Sequence, residues 1–460
     1  MRASRFFHAD RLDNPAPGAL SGTAMKGMFP TLGWVIVGLA LLVSFGIDFA
    51  NTWPGGAIDL RNRITGLRLL EHGVDAYHYK WSEGEPEAYA DVFNNPKLPV
   101  SKTTATPALL MLHLPIAWMS YGSAQMTWFL AQWLLLLGIG LLWLLACTTQ
   151  RQRWFVAILV IGFTYTAAWR LHAERGQAYV VLAFLFAAWL TITARLNGKW
   201  TSPFIAGCIA GIIIALRPPF VLLLPFLVLH RRGQLAGAAA GLLLGFGLPL
   251  LVNSHGWSDY FSAMQTHSEL YRNGIDPRPG PQHYPSTIEG ISTDTIAHFA
   301  VIPYADSSIF AMLKYLGLER NWLGDEAVPA WPPLLVITVV FSLWLWLTRA
   351  QPLPRLLLAL AAWLFLVDFF LPAYRDSYND VLILDVVATG LLATTSLPWA
   401  VWPCALALPI GWAVYVFVPE QVGLINLPTL LFALGAVVAV VDSTFLFNNR
   451  AGSRKVAAAC

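Results

Sequence analysis

The sequence predicts an all-α polytopic membrane protein with about twelve transmembrane helices, and three observations predict it. The 460 residues are 57% hydrophobic and only 12% charged, with a mean hydropathy of +0.57. That charged fraction is about half the share usual for a soluble domain. Apolar runs of about 17–25 residues, the length that crosses a hydrocarbon core, recur from Phe29 onward. Basic residues, finally, crowd every second loop between those runs. A net charge of +3 argues against a nucleic-acid partner. Cys147, Cys208, Cys404 and Cys460 show neither a CxxC nor a paired spacing, so no structural disulfide and no zinc site is expected.

Taken in order, residues 1–29 form a tail carrying Arg2, Arg5, Arg11 and Lys26, which short-loop charge places in the cytoplasm. The apolar run that follows lacks a small-residue cleavage site and reads as an anchor. Seven spans are expected within 30–253, near 30–48, 124–147, 154–171, 177–195, 203–217, 218–230 and 234–253. A first large outer loop covers 49–105 and a second covers 254–331. Five more spans follow within 332–446, near 332–348, 356–372, 379–396, 399–416 and 425–446, before a cytoplasmic tail at 447–460. The pairs Arg151/Arg153, Arg195/Lys199, Arg231/Arg232 and Arg349/Arg355 mark the inner loops, and Arg450, Arg454 and Lys455 the tail. The run 106–122, TPALLMLHLPIAWMSYG, is then re-entrant or interfacial, because a crossing there inverts every later loop. Only Asp10, Asp13 and Asp442 fall on the inner side, which puts the polar chemistry outside.

The densest charge lies in AIDLRNRITGLRLLEHGVDAYHY (57–79). Leu60, Ile64 and Leu67 share one helical face, so a helix over 57–73 is expected to lie along the membrane interface. Asp59 sits near its N-terminus, where a carboxylate serves either as a cap or as a working group. Arg61 and Arg63 read equally as headgroup anchors or as ligands for an anion. Asp368 and Asp385 fall inside apolar runs, where an unpaired charge is costly, so they are expected to be paired or to face a cavity. Glu83, Glu85 and Glu87 form a short acidic run whose ordinary reading is a solvated face rather than a cation site. No DxD occurs, which disfavours a nucleotide-sugar donor with its metal.

Four stretches give a family resemblance. The outer loop opens Asp59-Leu60-Arg61 and continues G-L-R-L-L-x-x-G-x-D-x-Y from Gly66 to Tyr77. ERGQAYVVLAFLFAAWL (174–190) carries a Gly-Gln pair at the start of an outer-to-inner span. IIALRPPFVLLLPFLVLHRR (213–232) is a basic-residue-Pro turn, a descending span and a basic loop. YFSAMQTHSELYRNG and HYPSTIEGI (283–291) lie in the long loop after the seventh span, with Pro285-Ser286-Thr287 where Asn-Gln-Ser is common. Together these resemble glycosyltransferase family 87, whose members have the GT-C fold and take a sugar from a polyprenyl-phosphate carrier.

The resemblance implies an inverting transfer, without cofactor or metal, of a mannose- or arabinofuranose-like sugar. The implied acceptor is an extracytoplasmic glycolipid or lipid-linked glycan, in cell-envelope glycan synthesis at a bacterial inner (plasma) membrane. It implies Asp59 as the general base that deprotonates the acceptor. It implies Arg217, with Arg61, Arg63, Arg175 and Arg375, for the donor phosphate, and Gln177, His172, His283 and Glu289 for substrate. Such chemistry needs little more than a carboxylate at the acceptor oxygen and cations at the departing phosphate. Two other classes stay open: an O-antigen ligase or polymerase, and a lipid or glycan transporter, although no inverted repeat is visible.

Overall fold

The computed structural model describes residues 23–91, 98–195, 201–272, 331–371, 375–393, 401–417 and 426–457. These are mostly helical, with one long irregular stretch between the second and third helices. The helices are α1 (Thr23–Gly55), α2 (Ile58–Glu71), α3 (Pro107–Met111), α4 (Tyr121–Ala146), α5 (Gln150–Thr164), α6 (Ala167–Glu174), α7 (Tyr179–Arg195) and α8 (Thr201–Leu216). They continue with α9 (Leu223–His230), α10 (Leu235–Val252), α11 (Gly256–Arg272), α12 (Trp331–Leu347), α13 (Leu353–Phe370), α14 (Ile383–Ala393), α15 (Val401–Phe417) and α16 (Leu427–Ala457).

Each expected span coincides with one of these helices or with a helix joined to a short turn. By length and apolar composition four described helices can cross a membrane, and a bent pair makes five. That pair is α5 and α6, expected from sequence as one span near 154–171 and bent by 62° at Tyr165 and Thr166. The Thr166 hydroxyl accepts the Trp169 N–H and starts α6 afresh. Six more apolar helices run to 10–17 residues. Leucines and valines along α1, α10 and α12 stay exposed, as lipid-facing positions do, with Leu251 at 84%. α13, by contrast, is buried on nearly every side between α12, α14 and α16.

The closest helix pair is α8 with α10. Gly207 and Gly211 face Gly237 and Gly241, each pair at the i, i+4 spacing that lets two backbones touch. A Cβ placed on Gly207 would stand 2.0 Å from the Gln234 carbonyl oxygen.

The first outer loop differs from expectation. α2 buries 11 of its 14 residues, so it does not lay one apolar stripe on a membrane surface. Its polar face is covered by the chain that follows: Arg68 donates to the Ala117 carbonyl at 2.7 Å, and Thr103 Oγ1 to the Asn62 carbonyl at 3.3 Å. Residues 106–120 make only the five-residue α3 and a three-residue turn at Leu114–Ile116, and α4 begins at Tyr121. Of the second outer loop only its start, including α11, lies among the described residues.

Candidate active site

The N-terminus of α2 is held by main chain. Ala57, the N-cap, has φ 47°, and no side chain caps the helix. The first amides are satisfied from across the fold: Asp59 N and Leu60 N donate to the Arg175 carbonyl at 3.1 and 3.2 Å. The capping reading of Asp59 is thereby set aside, and its carboxylate is left for other work.

That carboxylate is half-buried, 17% exposed. Arg175 Nε donates to Oδ2 at 2.6 Å, and Gln177 Nε2 donates to the same oxygen. Oδ1 has a single long contact to Arg175 Nη2 at 3.4 Å, so it is the open oxygen. Gln177 Oε1 in turn accepts from Arg63 Nη2, while Arg63 Nη1 donates to the Gly176 carbonyl at 2.8 Å. Gly176 makes this turn possible. Its φ is +67°, and a Cβ there would stand 2.7 Å from Leu60 Cβ.

The cluster extends to the other half of the chain. Arg175 Nη1 lies 3.5 Å from Asp376 Oδ2, and its guanidinium carbon is 5.6 Å from the Tyr378 ring centre. Tyr378 and Tyr179 lie 5.9 Å apart, and Arg217 covers the Tyr179 ring at 5.1 Å. Arg217 Nε and Nη2 both donate to Asp368 Oδ1, at 3.1 and 2.5 Å, and Asn379 Nδ2 holds Oδ2 at 3.2 Å. Asp368 is therefore paired, as an acid inside an apolar span must be. The arginine itself is 28% exposed. A carboxylate and a guanidinium thus stand at the two ends of a tyrosine pair.

Of the residues singled out by sequence, Asp59, Arg63, Arg175, Gln177 and Arg217 come together here. Others do not. Arg61 is wholly buried beneath Tyr121, 5.1 Å from its ring centre, and donates to the Glu87 carbonyl. Arg375 is 2% exposed, bound to Asp380 at 2.6 Å and packed on Phe365 and Phe369. His172 stacks on Trp169, and its Nε2 accepts the Val180 N–H at 3.1 Å. All three brace the surrounding helices. His283 and Glu289 lie outside the described residues. Glu83, Glu85 and Glu87 are exposed, with Glu85 engaged by Tyr79. Among the described residues no three His, Cys, Asp or Glu side chains group as metal ligands, and no disulfide joins Cys147, Cys208 or Cys404. Sequence reasoning missed Tyr179 and Tyr378 altogether; an aromatic at a helix end carries no signal of its own.

An acid, a cation and an aromatic shelf brought together in a helical membrane protein are parts that a group-transfer enzyme can use. Residues 104–373 match the model of glycosyltransferase family 87. The chain belongs to that family and is a glycosyltransferase. No curated protein and no solved structure matches it. Asp59 precedes the matched segment and is tied to it through Arg175 and Gln177.

Proposed function

We propose that this glycosyltransferase moves a sugar from a polyprenyl-phosphate donor to a glycolipid or lipid-linked glycan on the outer side of the plasma membrane. The supporting observation is the open Oδ1 of Asp59 set across the tyrosine pair from Arg217. In this reading the acceptor hydroxyl gives its proton to Asp59 Oδ1 as its oxygen attacks the anomeric carbon. The bond from that carbon to the phosphate oxygen breaks, and the electron pair leaves with the phosphate. Attack opposite the leaving group inverts the centre. Arg175 and Gln177, both on Oδ2, fix the direction in which Oδ1 faces. Arg217 meets the departing phosphate through Nη1, which makes no hydrogen bond among the described residues, while Asp368 holds the rest of the group. Tyr179 and Tyr378 offer a sugar two faces to lie on. In the same reading the chain crosses the membrane twelve times with both termini inside, as the basic loops suggest, and this cluster then lies at the outer ends of the helices.

The test is Asp59→Asn. Since Asp59 caps nothing, the amide should leave folding intact, and it cannot take a proton at neutral pH. Turnover should fall by about 10²-fold or more with donor binding retained. Near-parental turnover would remove Asp59 from the mechanism. Asp48 offers no substitute, being buried against Arg170 and Trp169. Arg217→Ala should weaken donor binding at normal expression; unchanged binding of polyprenyl-phosphate-sugar would overturn the phosphate assignment.

A further inference from the structure

The opposite end of α7 carries a second, unassigned polar cavity. It lies about 21 Å along the helix from Tyr179, at Thr193, fourteen residues on at 1.5 Å each. Its volume is about 230 Å³, and it is lined by Ile192, Thr193, Ser202, Pro203 and the turn from His230 to Gln234. That is an order of magnitude above the roughly 10–15 Å³ a single water needs. Three basic side chains, His230, Arg231 and Arg232, line it, and among the described residues no acid does. Two of their polar atoms, His230 Nε2 and Arg231 Nε, are buried without any hydrogen-bond partner.

The walls are fixed rather than fluid. Gln234 accepts the Trp189 indole N–H at 3.0 Å and donates to Thr193 Oγ1 at 3.1 Å, which leaves that hydroxyl's own hydrogen available. The glycine contact between α8 and α10 begins at this same Gln234 and holds the turn against Pro203. Burial pushes the Arg231 guanidinium down from its ordinary value, and no neighbouring carboxylate opposes that. A partly buried cation without a partner is costly, and an anion relieves the cost. Guanidinium, imidazole and hydroxyl donors converging without an acid are suited to the several acceptor oxygens of a phosphate.

We propose that this cavity is a phosphate-ester site, remote from the transfer chemistry and filled from the inner leaflet by the headgroup of an anionic lipid. A free phosphate shares the recognition chemistry, so the experiment separates the two sources. The full-length protein is placed in phosphatidylcholine nanodiscs, in the same discs with phosphatidylglycerol added, and in neutral detergent with inorganic phosphate. Thermal stability is read in each, for the parent and for Arg231→Met. Phosphatidylglycerol should raise the parent's Tm by at least about 2 °C, the scale of one kcal/mol for a chain this long. The Arg231→Met variant should lose most of that rise. It should also be at least as stable as the parent in pure phosphatidylcholine, because a buried cation without a partner has been removed. A rise with inorganic phosphate alone, again lost in the variant, supports the site and replaces the lipid with a soluble source. Equal responses of parent and variant, or no response to either anion, overturn the proposal. Native mass spectrometry of Arg232→Gln, which keeps the buried Arg231, provides an independent reading. Fewer phosphatidylglycerol adducts than the parent support the site, and an unchanged number counts against it.

Discussion

Asp59 Oδ2 takes two donors while Oδ1 takes one long contact, and that asymmetry is what makes this carboxylate directional. Gln177 is the hinge of the arrangement, since its amide serves Asp59 with one end and Arg63 with the other. Gln177→Leu should cost about tenfold or more in kcat, because it leaves two half-buried charged groups short of a partner; assay with purified protein checks it. A different residue sets acid tolerance. His267 is pushed down to about 4 by burial and by Lys102, with its Nε2 beside the Ser101 carbonyl. Unfolded, it binds a proton near 6.5; folded, only near 4. Stability present above pH 6.5 is therefore lost as pH falls from 6.5 toward 4, and His267→Asn should flatten a Tm-against-pH curve there. The acids and bases of the candidate site were visible in the sequence as polar residues at helix ends. Arg375 and His172 looked equally suitable because burial, which disqualifies them from facing substrate, depends on helices far away in the chain.

Elements hold the site through backbone contacts that only glycine allows. Gly176→Ala adds a methyl group against Leu60 at a φ that costs an L-residue about 1–2 kcal/mol. The turn must then shift, carrying Arg175 and Gln177 off Asp59. A displacement near 1 Å can cost about 10²-fold in rate, so the variant should fold yet lose most activity. Gly211→Leu acts elsewhere: its Cβ already meets the Ala238 carbonyl oxygen at 2.3 Å, so α8 and α10 must separate. Overpacking of this kind should destabilise by about 1–3 kcal/mol, read as a lower Tm or poor membrane yield. The spacing of these glycines was visible in the sequence. Their pairing was not, because small residues are common in membrane helices whether or not they touch. The burial of α2 was likewise hidden, since its charges suggested an outward face until the loop over it supplied carbonyl acceptors.

At the scale of the whole molecule, every span expected from the sequence falls on a helix, and four of the described helices, or five with the bent pair, have the length and apolar composition to cross a membrane. Apolar runs report where a helix is; they do not report the break at Thr166, whereas the turn at Pro218–Leu222 ahead of α9 is signalled by its two prolines. Sidedness is a separate question, and it is answered by labelling. In a background without native cysteines, Arg153→Cys and Ser254→Cys both sit at exposed positions. An impermeant thiol reagent applied to intact cells should label Ser254→Cys and spare Arg153→Cys. The reverse pattern would invert the topology and move Asp59 to the cytoplasmic side.

The linked groups around the tyrosine pair sum to zero: Arg63, Arg175 and Arg217 against Asp59, Asp368 and Asp376. The anionic carrier proposed above, diffusing in the bilayer, would therefore meet no net-charge pull from them. Steering is the part of an encounter that dissolved salt screens, over a distance of about 10 Å at 0.1 M. Without it, the rate of capture should barely change between dilute and physiological ionic strength, and recognition of the proposed donor would be decided at contact, with Arg217 shared between Asp368 and that phosphate.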